Sequence, residues 1–195
     1  MAKLTQDKLM TLEAYAKARN TIRAEVMAHK KERNIALGAH VTLLFEDEQT
    51  IRYQVQEMLR AEKIFEEDGI REELDAYNPL IPDGCNWKAT MLIEYEDVDE
   101  RHRMLARMID IEQRVWVKVA GFERVFAIAD EDLERSNEQK TSAVHFLRFE
   151  LTAEMSRSLK QGAGLSMGVD HPNYQAATDP VPPAARASLL RDLQV

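Results

Sequence analysis

The most constraining feature of this sequence is the separation of two periodicities along the chain. Apolar residues recur at helical spacing through most of the first 80 residues, whereas strand-like alternation dominates after residue 87. Residues 88–96 alternate most clearly, with Ala89, Met91, Ile93 and Tyr95 on one face. Because segregated helices and strands are typical of an α+β fold, we predict a mainly antiparallel sheet of about five to six strands with an N-terminal helical region packed on it.

The length of 195 residues favours one domain. We predict a single α+β domain over residues 1–177, helix-rich over 1–80 and strand-rich over 87–172. A tail over residues 178–195 opens with three prolines and ends in a short amphipathic segment. The pattern leaves open whether this tail docks on its own domain or on a partner.

The charge balance is acidic, with 26 basic and 34 acidic residues and a formal net charge of −8. Phosphate neutralisation dominates nucleic-acid affinity, so we predict no nucleic-acid partner. No stretch approaches the length of a membrane span, and no signal-like apolar region follows the first residues, so we predict a cytoplasmic protein without membrane association.

Several classes of chemistry are excluded by missing motifs. The single cysteine, Cys85, cannot supply the thiolates of an iron–sulfur cluster. The seven glycines form no Gly-x-Gly-x-x-Gly nucleotide motif, and no Gly-x-Ser-x-Gly nucleophile motif is present. A bound metal ion is the cofactor that stays open.

Glu62 is the first candidate metal ligand, because it falls among apolar residues of a predicted helix. Counting 100° per residue from Ile51, the stripe formed by Val55, Met58, Leu59 and Phe65 surrounds its position. A carboxylate buried there would need a cation, a proton or a metal ion. The alternative is that the helix passes the edge of the core and Glu62 meets a lysine or an arginine.

Two histidines share the apolar stripes of other predicted helices. His29 follows Ile22 and Val26 at helical spacing, and His102 shares a stripe with Val98 and Leu105. Together with Glu62 they would form a two-histidine, one-carboxylate set, which is the ligand set of non-haem iron sites. Each histidine alone is more often a hydrogen-bonded residue at the edge of the core.

The opposite face of the helix that carries Glu62 is mostly polar and suggests a second contact surface. Tyr53, Glu57, Arg60 and Ile64 lie on it, and Glu57 and Arg60 are spaced to form a helix-surface ion pair. A second polar site could combine Glu57 and Glu73 with a later histidine.

That later histidine lies in a segment after the last predicted strand. Asp170 and His171 could act as an orienting carboxylate and a base, with Asn173 and Tyr174 beside them. Adjacent residues of an extended chain point in opposite directions, so such a pair needs a turn. The alternative is a capping loop in which Asn173 and Tyr174 bond backbone groups.

Four runs of sequence resemble a bacterial family catalogued as a domain of unknown function, number 3501. They are residues 43–46 (LLFE), 54–62 (QVQEMLRAE), 72–78 (EELDAYN) and 170–174 (DHPNY). The resemblance covers nearly the whole chain, and its motifs carry no catalytic residue to this sequence.

What the resemblance implies is a context. Genes of this family lie near genes for rubrerythrin-like di-iron proteins and for an iron–sulfur oxidoreductase, which implies partners in peroxide handling or electron transfer. We therefore expect a non-catalytic accessory or partner protein of an iron-dependent redox system involved in oxidative stress. The alternatives are a small metal-dependent, non-haem iron-like enzyme and a ligand-sensing module. The sequence leaves homo-oligomerisation open.

Overall fold

A computed structural model describes residues 3–132, 135–136 and 139–194. Within these ranges the chain forms six α-helices and nine β-strands. The helices are α1 (Leu12–Lys31), α2 (Glu48–Glu62), α3 (Glu67–Tyr77), α4 (Val98–Arg107), α5 (Ala153–Lys160) and α6 (Pro183–Leu190). The strands are β1 (Asn34–Leu37), β2 (Val41–Glu46), β3 (Asn86–Ile93), β4 (Val115–Val119), β5 (Arg124–Phe126), β6 (Ile128–Ala129), β7 (Val144–Glu150), β8 (Leu165–His171) and β9 (Tyr174–Thr178).

The predicted α+β class is confirmed, and an N-terminal helix precedes the strands. The strands form two antiparallel sheets rather than one, in the orders β1-β2-β3-β7-β6 and β5-β4-β8-β9. The sequence interpretation missed β1 and β9. The first has only four residues, too few for a recognisable alternation, and the second consists largely of small and polar residues.

The two sheets are joined through the bent segment that contains β5 and β6. The Ala127 N–H donates to the Val115 carbonyl of β4 at 2.9 Å, and the Asp130 N–H donates to the Phe146 carbonyl of β7 at 2.8 Å. The same segment therefore pairs with one sheet and then with the other, which places Asp130 beside β7.

On the opposite side, β1 meets β9 through side-chain hydrogen bonds. The Tyr174 hydroxyl donates to the Leu37 carbonyl at 2.6 Å, and the Thr178 hydroxyl donates to the Ala36 carbonyl at 2.6 Å. We call this contact the β1–β9 seam. It holds together two strands that belong to different sheets.

The inward faces of both sheets share one apolar core. Phe45, Trp87 and Phe149 are among its largest buried side chains, and the Phe45 and Trp87 rings meet edge to face at 6.2 Å. A second, smaller cluster lies beneath α2 and α3 and contains Leu4, Ile51, Val55, Leu59, Leu74 and Ile81. The larger core and its edge position the candidate site described below.

Helix α2 begins and ends at residues that explain its length. The Asp47 side chain accepts from the Thr50 N–H, and the Thr50 hydroxyl accepts from the Asp47 N–H, which forms a capping box. Lys63 ends the helix in the left-handed region at φ 57°. Glu62 is thus the last helical residue and is exposed, so the prediction of a buried Glu62 is wrong. The helix passes the edge of the core at this point.

The C-terminal tail docks on its own chain. Val181, Leu189 and Leu193 are buried in the larger core. Arg33, which is 2% exposed, donates to the Asp192 carboxylate at 2.5 Å and to the Ser188 hydroxyl at 3.3 Å. The tail therefore completes the core and brings a buried ion pair with it.

No helix in the described ranges is both long enough and apolar enough to cross a membrane.

Candidate metal centre

His145 is a polar side chain on the buried face of a central strand. It lies on β7, on the same face of the strand as Leu147 and Phe149, which point into the core. Its side chain is 0% exposed. A buried imidazole needs hydrogen-bond partners, because an unpaired polar group in the core costs free energy. The groups that satisfy His145 therefore define the site.

Asp130 supplies the first partner. Its Oδ2 lies 2.6 Å from His145 Nδ1, and its Oδ1 accepts from the Phe146 N–H at 3.0 Å. Asp130 adopts a left-handed backbone conformation at φ 50°, which aspartate tolerates better than most residues. This conformation follows β6 directly and turns the carboxylate toward β7.

The other ring nitrogen faces oxygen atoms. His145 Nε2 lies 2.9 Å from Thr141 Oγ1, 3.0 Å from the Ser142 carbonyl oxygen and 3.9 Å from Glu112 Oε2. The Thr141 N–H donates to the Leu105 carbonyl of α4, which fixes the chain at this point. Oxygen atoms of three residues therefore surround Nε2.

Glu112 is a buried carboxylate, 4% exposed. It lies in a short 3₁₀ helix, Ile111–Arg114, directly before β4. It accepts from the Ser136 hydroxyl at 3.0 Å and from the Thr141 hydroxyl at 3.3 Å. Neutral hydroxyl donors compensate a buried negative charge less well than a cation does. A cation bound between Glu112, Asp130 and His145 would supply that compensation.

One guanidinium approaches the cluster from its open side. Arg135 Nε lies 3.5 Å from Asp130 Oδ1, while Arg135 Nη2 donates to Asp132 at 2.6 Å. The guanidinium also lies over the Phe146 ring, 4.6 Å from its centroid. Arg135 thus neutralises part of the charge of Asp130, whereas Glu112 faces the two hydroxyl groups and His145 Nε2.

A polar cavity of about 270 Å³ opens onto Glu112, Asp130 and Arg135. Asp110, Gln113 and Asp132 also line it. Carboxylate and amide oxygens therefore surround the entrance, which would attract a hydrated cation. The cavity is large enough to hold an ion together with several water molecules.

The ligand atoms of Glu112, Asp130 and His145 lie within 4.8 Å of one another. Among the described residues this is the one group of three or more histidine, cysteine or acidic side chains at such spacing. Ligands of a single ion at about 2.0–2.2 Å lie roughly 3–3.5 Å apart, so binding of one ion would require the three side chains to adjust from their present separations. One imidazole and two carboxylates suit zinc, iron or manganese.

The same residues resemble a hydrolytic triad, and the geometry argues against that function. Asp130, His145 and Thr141 follow the order of carboxylate, imidazole and hydroxyl nucleophile. Thr141 is 1% exposed, however, and its hydroxyl donates to the Glu112 carboxylate. A negative charge there would oppose the oxyanion that acyl transfer creates, so metal binding is the better interpretation.

Comparison with known proteins places the chain in a family. Residues 3–193 match the family model described as "Protein of unknown function (DUF3501)". The chain belongs to this family. It is also similar to a crystal structure of a protein of unknown function from Burkholderia pseudomallei K96243, with 57% sequence identity and a TM-score of 0.93. That match covers 99% of this chain and 100% of the other. None of the curated proteins matches the sequence.

In this member of the DUF3501 family, the three ligands predicted from sequence do not come together. His29 Nε2 lies 2.5 Å from Asp47 Oδ2, beside the N-terminus of α2. His102 is exposed on α4, and Glu62 is exposed at the end of α2. Periodicity placed each of them on the apolar side of a helix, but the three helices do not pack with those positions facing one another.

Glu57 does pair with Arg60, at 3.5 Å, but its main partners lie on α1. Arg19 donates to both Glu57 oxygens at 2.7 Å, and the Tyr15 hydroxyl donates at 2.7 Å. The hydrogen bonds from Arg19 lower the pKa of Glu57 to about 2, with help from Tyr15. These contacts join α1 to α2. Glu57 and His171 share no hydrogen bond or ion pair in the described part of the chain.

Glu73 lies on α3 and has a buried oxygen, Oε2, without a hydrogen-bond partner in the described part of the chain. Burial raises the pKa of Glu73, and the neighbouring Glu62 and Glu72 carboxylates raise it further. Its electrostatic neighbours are therefore acidic residues of the helical region, and neither Glu57 nor His171 contacts it in the described structure.

The segment from Asp170 to Tyr174 comprises the end of β8, a two-residue turn and the first residue of β9. Asp170 points outward and accepts from Arg124 at 3.1 Å. His171 points inward, where its Nε2 donates to the Ile109 carbonyl at 3.0 Å and its Nδ1 accepts from the Asn173 N–H. Asp170 therefore does not orient His171, because the two side chains lie on opposite faces of β8.

The other two polar residues of this turn bond backbone groups. Asn173 Nδ2 donates to the Arg107 carbonyl at the end of α4, at 2.7 Å. The Tyr174 hydroxyl accepts from the His40 N–H at 3.1 Å and donates to the Leu37 carbonyl in the β1–β9 seam. Their contacts are those of structural caps.

The periodicity of the sequence could have indicated one member of the cluster formed by Glu112, Asp130 and His145. In the strand now seen as β7, His145 alternates with Leu147 and Phe149, so it falls on the inward face. Asp130 and Glu112 gave no such signal, because they lie in a segment after a strand and in a short turn. Between Asp130 and Thr141, residues 133–134 and 137–138 lie outside the described ranges.

Proposed function

We propose that this protein binds one divalent transition-metal ion through Glu112, Asp130 and His145. The observation that carries the proposal is a buried imidazole with two carboxylates, their ligand atoms all within 4.8 Å, and both carboxylates line a polar cavity. Sites of this composition hold zinc, iron or manganese and keep a position open to the solvent side for water or substrate.

The surrounding residues would support such a site. Hydroxyl groups of Ser136 and Thr141 orient the Glu112 carboxylate, and the Phe146 N–H holds Asp130. Hydrogen bonds of this kind fix the direction of metal ligands and tune their basicity. Arg135 adds a positive charge at the cavity mouth, where it could hold an anionic group of a substrate next to the ion.

The experiment is a calorimetric titration of chelator-treated protein with Fe²⁺, Mn²⁺ and Zn²⁺ under anaerobic conditions. We expect one ion per chain, and we expect Glu112→Gln, Asp130→Asn and His145→Gln each to weaken binding by more than about tenfold. Glu62→Gln and His102→Gln serve as matched controls, since both residues are exposed, and should leave affinity unchanged.

A second readout keeps the test decisive if a ligand variant folds poorly. Metal that binds the folded state stabilises it by mass action, so the ion should raise the melting temperature of the wild-type protein. No uptake of any of the three ions, together with an unchanged melting temperature, would overturn the proposal and leave the cluster as a structural hydrogen-bond network.

The accessory role in an iron-dependent redox system stays a prediction that follows from the family resemblance. Metal identity bears on it directly. Zinc binds most sites of this kind more tightly than iron or manganese, so the informative result is the metal present in protein isolated from cells. Iron in that protein, lost in His145→Gln, would favour a redox context, whereas zinc would favour a hydrolytic or structural site.

A further inference from the structure

The helical region carries an apolar groove that the rest of the described chain leaves uncovered. The groove has a volume of about 530 Å³ and lies between the N-terminal segment and the end of α2. Its apolar lining consists of Leu9, Met10, Leu12, Leu59, Ile64, Phe65 and Ile70. Phe65 is 70% exposed, the highest exposure of any large apolar side chain described. A monomeric protein rarely leaves such a side chain beside an apolar groove unless something binds there.

The chain's own C-terminal tail does not fill this groove. Helix α6 and the residues after it are buried in the larger core, where Leu189 and Leu193 pack between the sheets and α5. The N-terminal residues Leu9 and Leu12 already form one of the groove's walls. The described parts of the chain therefore supply the walls and leave the groove open.

The rim of the groove is strongly acidic. Residues 62–73 contain six acidic and two basic residues, and one of the basic residues, Arg71, pairs with Asp68 at 3.3 Å. Glu62 lies one helical turn after Leu59, and Glu73 lies one turn after Ile70. Both carboxylates therefore lie one turn from a residue that lines the groove, and Glu13 contributes a carboxylate to the lining itself.

Glu73 is a carboxylate of this acidic segment that no basic side chain of the described chain pairs with. Its Oε2 atom is buried and accepts no hydrogen bond within the described part of the chain. Burial raises its pKa, and the carboxylates of Glu62 and Glu72 add to the shift. A lysine or arginine placed between Glu62 and Glu73 would satisfy that oxygen and relieve the repulsion.

We propose that this groove docks a basic amphipathic helix of a partner protein, with apolar side chains against Phe65 and lysine or arginine residues against Glu62 and Glu73. Helix-in-groove recognition uses this combination of an apolar face and flanking charges. A second copy of this chain fits less well, because the rim is acidic and the whole chain carries a net charge of −8. The proposal is independent of the metal centre, whose residues lie in the strand region.

The test uses the full-length protein and two synthetic helical peptides. One peptide carries leucine on one face and lysine on the other, and the second has glutamate in place of lysine. Fluorescence anisotropy should show binding of the lysine peptide alone, with an affinity that falls as salt rises.

Variants locate the binding surface. We expect Phe65→Ser to weaken binding of the lysine peptide at least about tenfold. The double variant Glu62→Gln/Glu73→Gln should weaken it several-fold and flatten its salt dependence. Phe126→Ser, at a site 44% exposed on β5, and Asp99→Asn/Glu100→Gln on α4 are matched controls and should bind as the wild type does.

Three results would overturn the proposal. They are no binding of the lysine peptide, binding that Phe65→Ser leaves unchanged, and self-association of the free protein that Phe65→Ser abolishes. Sedimentation velocity over a range of concentrations measures the last of these, which would assign the groove to a second copy of the chain.

Discussion

Two carboxylates of this protein respond to pH in opposite directions because their surroundings differ. Glu57 is partly exposed and receives two hydrogen bonds from Arg19, which lower its pKa to about 2. Asp192 is buried, and burial raises its pKa to about 6 although Arg33 opposes the shift. Glu57 therefore stabilises the fold in its ionised form, whereas ionisation of Asp192 costs stability.

Glu57→Gln should remove a pH-dependent part of the stability. The folded-state pKa lies below the ordinary value of 4.5, so the contribution of Glu57 is present above about pH 4.5 and is lost as the pH falls toward 2. We expect a loss of about 1–2 kcal/mol at pH 7, measured by urea unfolding. The difference between wild type and variant should shrink at pH 3, and a constant difference would contradict this account.

Arg33→Met should be more damaging than Asp192→Asn. Removal of the guanidinium leaves Asp47 and Asp192 without their shared cation, at a cost of about 3–5 kcal/mol. Asparagine keeps an oxygen for Arg33 and removes the group whose ionisation is unfavourable. The folded-state pKa of Asp192 is raised, so the folded state holds a proton between about pH 4 and 6 that the unfolded state releases. As the pH rises through this range, the wild type should therefore lose stability from this group, and Asp192→Asn should not. An equal loss in both variants at pH 7 would contradict the assignment.

The β1–β9 seam joins the two sheets at the level of secondary-structure elements. Tyr174 serves both sides of a turn there, since its hydroxyl donates to the Leu37 carbonyl and accepts from the His40 N–H. Neither bond belongs to a strand ladder. The seam therefore depends on side chains, and a single hydroxyl group can be tested for its share.

Tyr174→Phe should destabilise the protein by about 1–2 kcal/mol, because two backbone groups lose their partner. Tyr53→Phe is a suitable control, since none of the described hydrogen bonds uses its hydroxyl group. Hydrogen exchange should show faster exchange of the His40 amide in Tyr174→Phe. If exchange and unfolding are unchanged, the seam does not rest on this hydroxyl.

The elements that sequence predicted well are those with local signals. Residues 88–96 alternate in the sequence, and β3 spans Asn86–Ile93. Strands β1 and β9 were missed because they are short and their residues show too little apolar alternation to mark a strand. Glu62 was misplaced because periodicity gives the direction of a residue around a helix but not the point at which the core ends.

At the scale of the whole molecule, the tail is an integral part of the core. Leu189 is 0% exposed, and its carbonyl accepts from the Trp87 indole N–H at 2.9 Å. Helix α6 thus closes one end of the space between the sheets. The sequence showed the apolar residues of the tail but could not show which surface they would cover.

Leu189→Ala should cost about 2–5 kcal/mol, because it leaves a cavity where the surroundings are fixed by Trp87 and the sheets. Leu190→Ala is the matched control on the same helix, since Leu190 is only partly buried, and should cost clearly less. Thermal unfolding measures both. Equal effects would mean that the tail is bound more loosely than its burial indicates.

The candidate metal centre could not be assembled from sequence because its members come from three separate places. Glu112 precedes β4, Asp130 follows β6 and His145 lies on β7, so the cluster exists only once β5 and β6 pass from one sheet to the other. A polar residue on an inward strand face was visible in the sequence at His145. Its partners were not, since no periodic pattern places them.

The metal content of the wild-type protein and of His145→Gln tests the central claim most directly. Both proteins would be purified anaerobically without a histidine tag, loaded with Fe²⁺, Mn²⁺ or Zn²⁺, desalted and measured by mass spectrometry of the elements. The account predicts close to one ion per wild-type chain and nearly none in His145→Gln, with His102→Gln like the wild type. Equal content in all three proteins, or none in the wild type, would contradict it.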